Sequence, residues 1–160
     1  MGTRTVTRLL HCSFILLICS ILTACSPDGI DSNGKSVRFS QYHGKWLVVN
    51  YWSWWCKSCY QEIDELNTLT HNYGDDVAVL GVNPDGMARL AMAEFATRKH
   101  IDYVLLANNP GDRLGVGEVD HMPATFVFSP QRQLVAKLYG LQTADQLAEF
   151  MHLKPHQKAS

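Results

Sequence analysis

An α/β domain, with a mixed central sheet and helices on both faces, is the fold class this chain predicts. Three features predict it. Strand-length apolar runs alternate with helical patterns through the middle of the chain, two short apolar runs flank a turn near its end, and a Cys-x-x-Cys, Cys56-Lys57-Ser58-Cys59, sits where an early run gives way to a helix. At 160 residues, 46% hydrophobic and 18% charged, the chain has the size and composition of one globular domain plus a short appendage. Its formal net charge of -1 gives no basis for nucleic-acid binding.

The appendage comes first. Arg4 and Arg8 precede a mostly apolar stretch from Leu9 to Leu22, the charged and apolar parts of an export signal. That stretch is shorter than the roughly 20 residues needed to cross a bilayer. Ser26 to Ser36, rich in Ser, Asp, Gly and Asn, reads as a tether running into a turn at Asn33-Gly34. A strand then follows over Trp46 to Trp52, a helix over Cys56 to Asn72, a strand over Val77 to Val82, a helix over Met87 to His100 and a strand over Tyr103 to Leu106, the spacing of βαβ units with a largely parallel sheet. Thr125 to Phe128 and Leu134 to Tyr139, around Ser129-Pro130-Gln131-Arg132, read as an antiparallel hairpin. A last helix begins at Thr143, because Thr143 and Gln146 have capping-box spacing, with Leu147, Phe150 and Met151 as its apolar stripe.

The Cys-x-x-Cys carries the chemistry. It places two thiols one turn apart at a strand-to-helix junction, where backbone N–H groups and the helix dipole favour a thiolate on the first. A zinc knuckle would need a second pair of ligands. A purely structural bridge closing so short a loop constrains the unfolded chain very little.

Two resemblances add to this reading. Leu22-Thr23-Ala24-Cys25 resembles a bacterial lipobox, in which the signal is cut before a cysteine whose sulfur carries a diacylglycerol. With Cys12 and Cys19 removed and Cys25 capped by lipid, Cys56 and Cys59 remain as the free thiols. The run Gly44-Lys45-Trp46-Leu47-Val48-Val49-Asn50-Tyr51-Trp52-Ser53-Trp54-Trp55-Cys56, then Glu62 and Leu66, and later Met122-Pro123-Ala124-Thr125-Phe126, resemble the exported, membrane-anchored thioredoxins of the TlpA/ResA/CcmG type, from about Ile30 to Leu147.

The resemblance implies a thioredoxin-like fold over residues 37–160, behind a signal peptide at 1–24 and a lipid-anchored tether at 25–36. It implies that Cys56 is the exposed nucleophile and Cys59 the buried resolving thiol. It also implies a cis bond before Pro123, with Met122 offering its backbone to an incoming chain as an added strand, and a surface docking platform that includes Trp55. Trp54 either adds apolar contact area for a partner or packs against the loop near Pro123. Lys57 is either a cation acting on the thiolate or a solvated side chain. Ser58 stands where many relatives have proline and either donates to the Cys56 sulfur or merely tolerates the helix start. Asn50 replaces the buried aspartate of cytoplasmic thioredoxins, so Glu62 becomes the candidate acid, against the plainer reading of a carboxylate that complements the helix dipole. Asp64 departs from a family proline, and His121 is either a base or a solvated loop side chain.

The function implied is an extracytoplasmic thiol-disulfide oxidoreductase that reduces partner-protein disulfides, with cytochrome c maturation the leading pathway and no cofactor or metal. Its partners would be disulfide-bearing proteins and a transmembrane thiol electron donor of the DsbD or CcdA type. It would be anchored through Cys25 on the periplasmic face of an inner or outer bacterial membrane. The alternatives are a thioredoxin-like metallochaperone, for which His121 and Met122 are the candidate extra ligands, a non-catalytic binding module, a DsbA-type oxidant and a peroxiredoxin.

Overall fold

The computed structural model describes residues 26–154, so the export signal and Cys25 lie outside the described residues. Five strands form the central sheet: β3 (Trp46–Tyr51), β4 (Val77–Val82), β5 (Val104–Leu106), β6 (Ala124–Phe128) and β7 (Leu134–Tyr139), in the order β5-β4-β3-β6-β7. β3, β4 and β5 are parallel, so each step between them requires a crossover. Helices α1 (Lys57–Tyr73) and α2 (Arg89–Lys99) supply those crossovers. β6 and β7 then run antiparallel as the predicted hairpin, and β6 pairs with β3 so that Asn50 lies opposite Thr125. A short α3 (Gly111–Leu114) precedes β6, and α4 (Ala144–Phe150) closes the fold.

The two faces of the sheet are covered differently. Val48, Val79 and Val127 point to the layer holding Ile63, Leu66 and Leu69 of α1, Met92 and Phe95 of α2, and Leu147 and Met151 next to or within α4. Leu47, Val49, Tyr51, Leu80, Phe126 and Phe128 fill the opposite layer, which α3 and a 3-10 turn at Phe39–Tyr42 cover. Helices therefore lie on both faces, with the three longest on one. Gly81 makes this possible on β4, because a Cβ there would come within 2.4 Å of Leu105 Cδ2 and 3.3 Å of the Trp52 indole nitrogen.

Two expectations need correcting. The segment read as a tether belongs to the folded domain from Asp28 onward, where β1 (Gly29–Ile30) and β2 (Ser36–Val37) form a hairpin. The Asp31 carboxylate closes its turn by accepting from the Asn33 and Lys35 N–H groups at 2.9 and 2.8 Å. Ser32 N–H donates to Leu105 O and Ala107 N–H to Ile30 O, so the hairpin covers the free edge of β5. A stretch rich in Ser, Asp, Gly and Asn is turn chemistry as readily as linker chemistry. On α4, Phe150 is 42% exposed, and the buried stripe is Ala144, Leu147, Ala148 and Met151.

The capping box is present in full. Thr143 Oγ1 accepts from Gln146 N–H at 3.2 Å, and Gln146 Oε1 accepts from Thr143 N–H at 3.1 Å. Thr143→Ala is expected to lower unfolding free energy by about 1 kcal/mol, measured by urea denaturation, without altering the dithiol chemistry.

Candidate active site

β3 ends at Tyr51, and the next five residues turn the chain into α1. Cys56 N–H donates to Ser53 O at 3.1 Å, which folds the loop back on itself. Cys56 is thereby placed as the N-cap of α1, where its Sγ accepts from Cys59 N–H at 3.2 Å. Cys56 and Cys59 form a disulfide with Cα atoms 5.3 Å apart. Ser58 Oγ lies 3.5 Å from Cys56 Sγ, on the side where a hydroxyl meets the sulfur.

The anticipated contrast between an exposed Cys56 and a buried Cys59 is small, since the two are 5% and 3% exposed. The N-cap position draws the Cys56 sulfur onto the first turn of the helix and away from solvent. Position along the helix distinguishes the two thiols, because Cys56 precedes the first turn and Cys59 lies within it. Lys57 and the rings of Trp54 and Trp55 are exposed around the pair. Trp52, just past the end of β3, turns inward and stacks on Phe95 at 4.7 Å, whereas Trp54 is exposed. The Trp52 indole N–H has no acceptor among the described residues. Tyr60 O–H donates to Trp54 O and fixes the loop to α1.

The Met122–Pro123 peptide bond is cis. Ser53 Oγ donates to Met122 Sδ at 2.9 Å and holds that loop beside the dithiol loop, while Gly140 N–H donates to Pro123 O at 2.9 Å and ties it to the end of β7. His121 stands apart, exposed, 2.8 Å from Asp120 and edge-on to Tyr139. Its hydrogen bond holds the Asp120 carboxyl below the usual carboxylate range.

Glu62 departs from the plainer reading. It is fully buried, because its oxygens are met by hydrogen-bond donors from three other segments. Asn50 Nδ2 donates to Oε2 at 2.8 Å, and Gln142 N–H and Thr125 Oγ1 donate to Oε1 at 3.0 and 3.4 Å. Asn50 Nδ2 also lies 3.0 Å from Thr125 Oγ1. Burial pushes the Glu62 pKa up, and these three donors only partly oppose it. Tyr103 is pushed up as well, first by burial and then by the charge of Glu62. Glu62 follows Cys59 by three residues on the same helix, so the two share a helix face. Asn50 and Thr125 were the legible sign of this network: each is a polar residue interrupting an apolar strand, and the two strands are adjacent. Gln142 left no such sign, because it contributes only its backbone.

Among the described residues no group of three or more His, Cys, Asp or Glu side chains is arranged to hold a metal ion. What the arrangement can do is hold a dithiol at a helix N-terminus, a buried carboxylate behind it and a cis-proline loop beside it. Residues 22–137 match the AhpC/TSA family. The chain belongs to that family. Within the AhpC/TSA family, its thioredoxin-like fold and redox cysteine pair place it among the thiol-disulfide oxidoreductases.

Two curated relatives carry that description. "Thiol-disulfide oxidoreductase ResA" of Bacillus subtilis is 26% identical over 124 residues, covering 77% of this chain and 69% of the relative. ResA of Geobacillus kaustophilus is 28% identical over 134 residues, covering 81% and 76%. A DsbF homologue from Corynebacterium diphtheriae superposes with a TM-score of 0.70 at 25% identity, over 78% of this chain and 81% of its own. The exposed lipoprotein thioredoxin Etrx1 of Streptococcus pneumoniae gives 0.63 at 25% identity, over 78% and 96%.

The raised Glu62 pKa has a consequence for stability. Below the carboxyl's ordinary value of 4.5, Glu62 is protonated whether the AhpC/TSA-family chain is folded or unfolded. As pH rises through the higher folded value, ionising the buried group costs stability, and the cost is complete above it. Glu62→Gln does not titrate. Its stability relative to the native protein is expected to be lowest near about pH 4 and to rise toward about pH 8, measured by urea unfolding of both proteins across that range.

Proposed function

We propose that this protein is an extracytoplasmic reductant of protein disulfides, held at a bacterial membrane by a lipid on Cys25. The observation that carries the reading is the Cys56–Cys59 pair at the head of α1 with Glu62 buried on the same helix. In the reduced protein the Cys56 thiolate attacks a disulfide of the partner, forming a mixed disulfide and releasing one partner thiolate. Cys59, having lost its proton, then attacks Cys56 Sγ. That step expels the second partner thiolate and leaves the Cys56–Cys59 disulfide, so two electrons have passed to the partner.

Glu62 is the group placed to take the Cys59 proton, since its raised pKa puts it closer to working pH than an ordinary carboxyl. The direction follows the resemblance to the TlpA/ResA/CcmG type, and it is the potential of the Cys56–Cys59 couple against that of the partner's disulfide that sets it. Met122 presents the backbone that the partner's chain would pair with, while Trp54 and Trp55 supply exposed apolar contact beside it. Lys57 and Ser58 tune the sulfur of Cys56, one through charge and the other through its hydroxyl.

Cytochrome c maturation is the pathway the TlpA/ResA/CcmG resemblance favours, and a transmembrane thiol carrier of the DsbD or CcdA type is the electron source that an oxidising compartment requires. The name of Etrx1, an exposed lipoprotein thioredoxin, supports the anchored form. Among the described residues no helix is long and apolar enough to cross a membrane. A metal-carrier role receives no comparable support, because Met122 is engaged by Ser53 and His121 by Asp120.

The reading is tested by insulin reduction and by equilibration of the couple with glutathione. Cys56→Ser is expected to abolish turnover, and Cys59→Ser to accumulate the mixed disulfide. A potential near the DsbA value of about -120 mV overturns the reductant assignment. Anchoring is tested separately: Cys25→Ser is expected to lose incorporation of a labelled fatty acid and to move the protein from the membrane to the soluble fraction. Unchanged labelling removes Cys25 as the anchor.

A further inference from the structure

A second chemistry lies at the far end of the sheet from the dithiol. A cavity of about 340 Å³ is lined by Phe39, Leu47, Leu114 and Phe128 together with Arg113, Arg132 and His43. Leu47 stands near the start of β3, whereas Cys56 follows the end of that strand. Leu47 and Phe128 also belong to the layer on the face away from α1. The cavity is thus separate from the redox site in both directions.

Its charges are unbalanced. Asp28 is the carboxylate that acts on both guanidiniums, and its two oxygens are already taken. Oδ1 accepts from Arg113 Nη1 at 3.0 Å and Oδ2 from Phe39 N–H at 2.6 Å. Nε and Nη2 of Arg132 are closed off from solvent with no acceptor among the described residues, so Nη1 is the nitrogen of that guanidinium open to a ligand. Two guanidiniums sharing one carboxylate leave one net positive charge beside an apolar wall.

The backbone points the same way. Arg132 sits in the β6–β7 turn at φ 66°, the left-handed region where glycine or asparagine is the usual occupant. The turn is closed by Arg132 N–H donating to Ser129 O and Ser129 N–H to Gln133 O, which fixes where the Arg132 side chain leaves the backbone.

We propose that this cavity binds a monoanionic amphiphile, a carboxylate on a short aliphatic body. The carboxylate lies against Arg132 and Arg113, and the aliphatic body lies on Phe39, Leu114 and Phe128. One net positive charge selects a monoanion over a dianionic phosphate ester, and planar guanidinium groups match a carboxylate. The cavity volume lies within the range of small-ligand sites, roughly 300 to 1,000 Å³.

The test is calorimetric titration of the purified protein with octanoate, alongside acetate as the head group alone and 1-octanol as the uncharged body. Octanoate is expected to bind at one site, and acetate and 1-octanol each at least tenfold more weakly. Arg132→Gly relieves the left-handed strain, so the variant is expected to fold with an undiminished melting temperature and an unchanged rate of insulin reduction, yet to bind octanoate at least tenfold more weakly. No binding of octanoate, or a loss of less than tenfold in Arg132→Gly, overturns the proposal. Because insulin reduction is read separately, failure here leaves the dithiol assignment untouched.

Discussion

Four segments meet at the carboxylate of Glu62. It leaves α1 and receives hydrogen bonds from Asn50 on β3, Thr125 on β6 and the backbone of Gln142 just before α4. A buried carboxylate is costly unless its lone pairs are satisfied, so each of these donors is fixed by the others. The register of β3 against β6 sets Asn50 opposite Thr125, and that pairing sets where the turn before β6 must arrive. Next along the chain, Ala144 N–H donates to Glu65 Oε2 at 2.8 Å, so a second carboxylate of α1 seats the N-terminus of α4. The helix that carries the cysteines is thereby tied to the strand before it, the strand beside that one and the helix closing the fold.

This arrangement makes the redox centre a property of the whole sheet rather than of a loop. The dithiol loop and the cis-proline loop meet through Ser53 and Met122, and each hangs from a strand end that the Glu62 network holds. The electrostatic cost is local and deliberate in its placement. A group held above its usual carboxylate range stands on the helix face it shares with Cys59, where a proton must leave before that sulfur can act.

Much of this was legible in the residues. The alternation of apolar runs and helical patterns fixed the central strands, because buried parallel strands are nearly continuous in Val and Leu, as Trp46 to Tyr51 and Val77 to Val82 are. Thr143 and Gln146 announced α4 through local chemistry alone. The cysteines were legible from their spacing at a strand-to-helix junction, whereas the cis bond before Pro123 was legible only through resemblance, since it leaves no trace in periodicity. Other features depended on contacts between distant parts of the chain. Asp31 reads as a linker residue until its carboxylate is seen closing a hairpin, and Glu62 reads as a surface acid until Asn50 and Thr125 are brought against it. Phe150 was misplaced because the buried face of α4 runs through Ala144, Leu147, Ala148 and Met151, and Phe150 lies beside that face. α3 is shorter still, too brief for any periodic signal.

The β1–β2 hairpin gives the sheet a polarity in how it can meet its neighbours. By lying along β5 it occupies the backbone groups on that side, so among the described residues β7 is the edge left open. A sheet open on both sides can add copies without limit and grow into a ribbon. Here an incoming strand finds the β5 backbone already taken, and β7 is the side of the five-stranded sheet that still offers unpaired N–H and C=O groups.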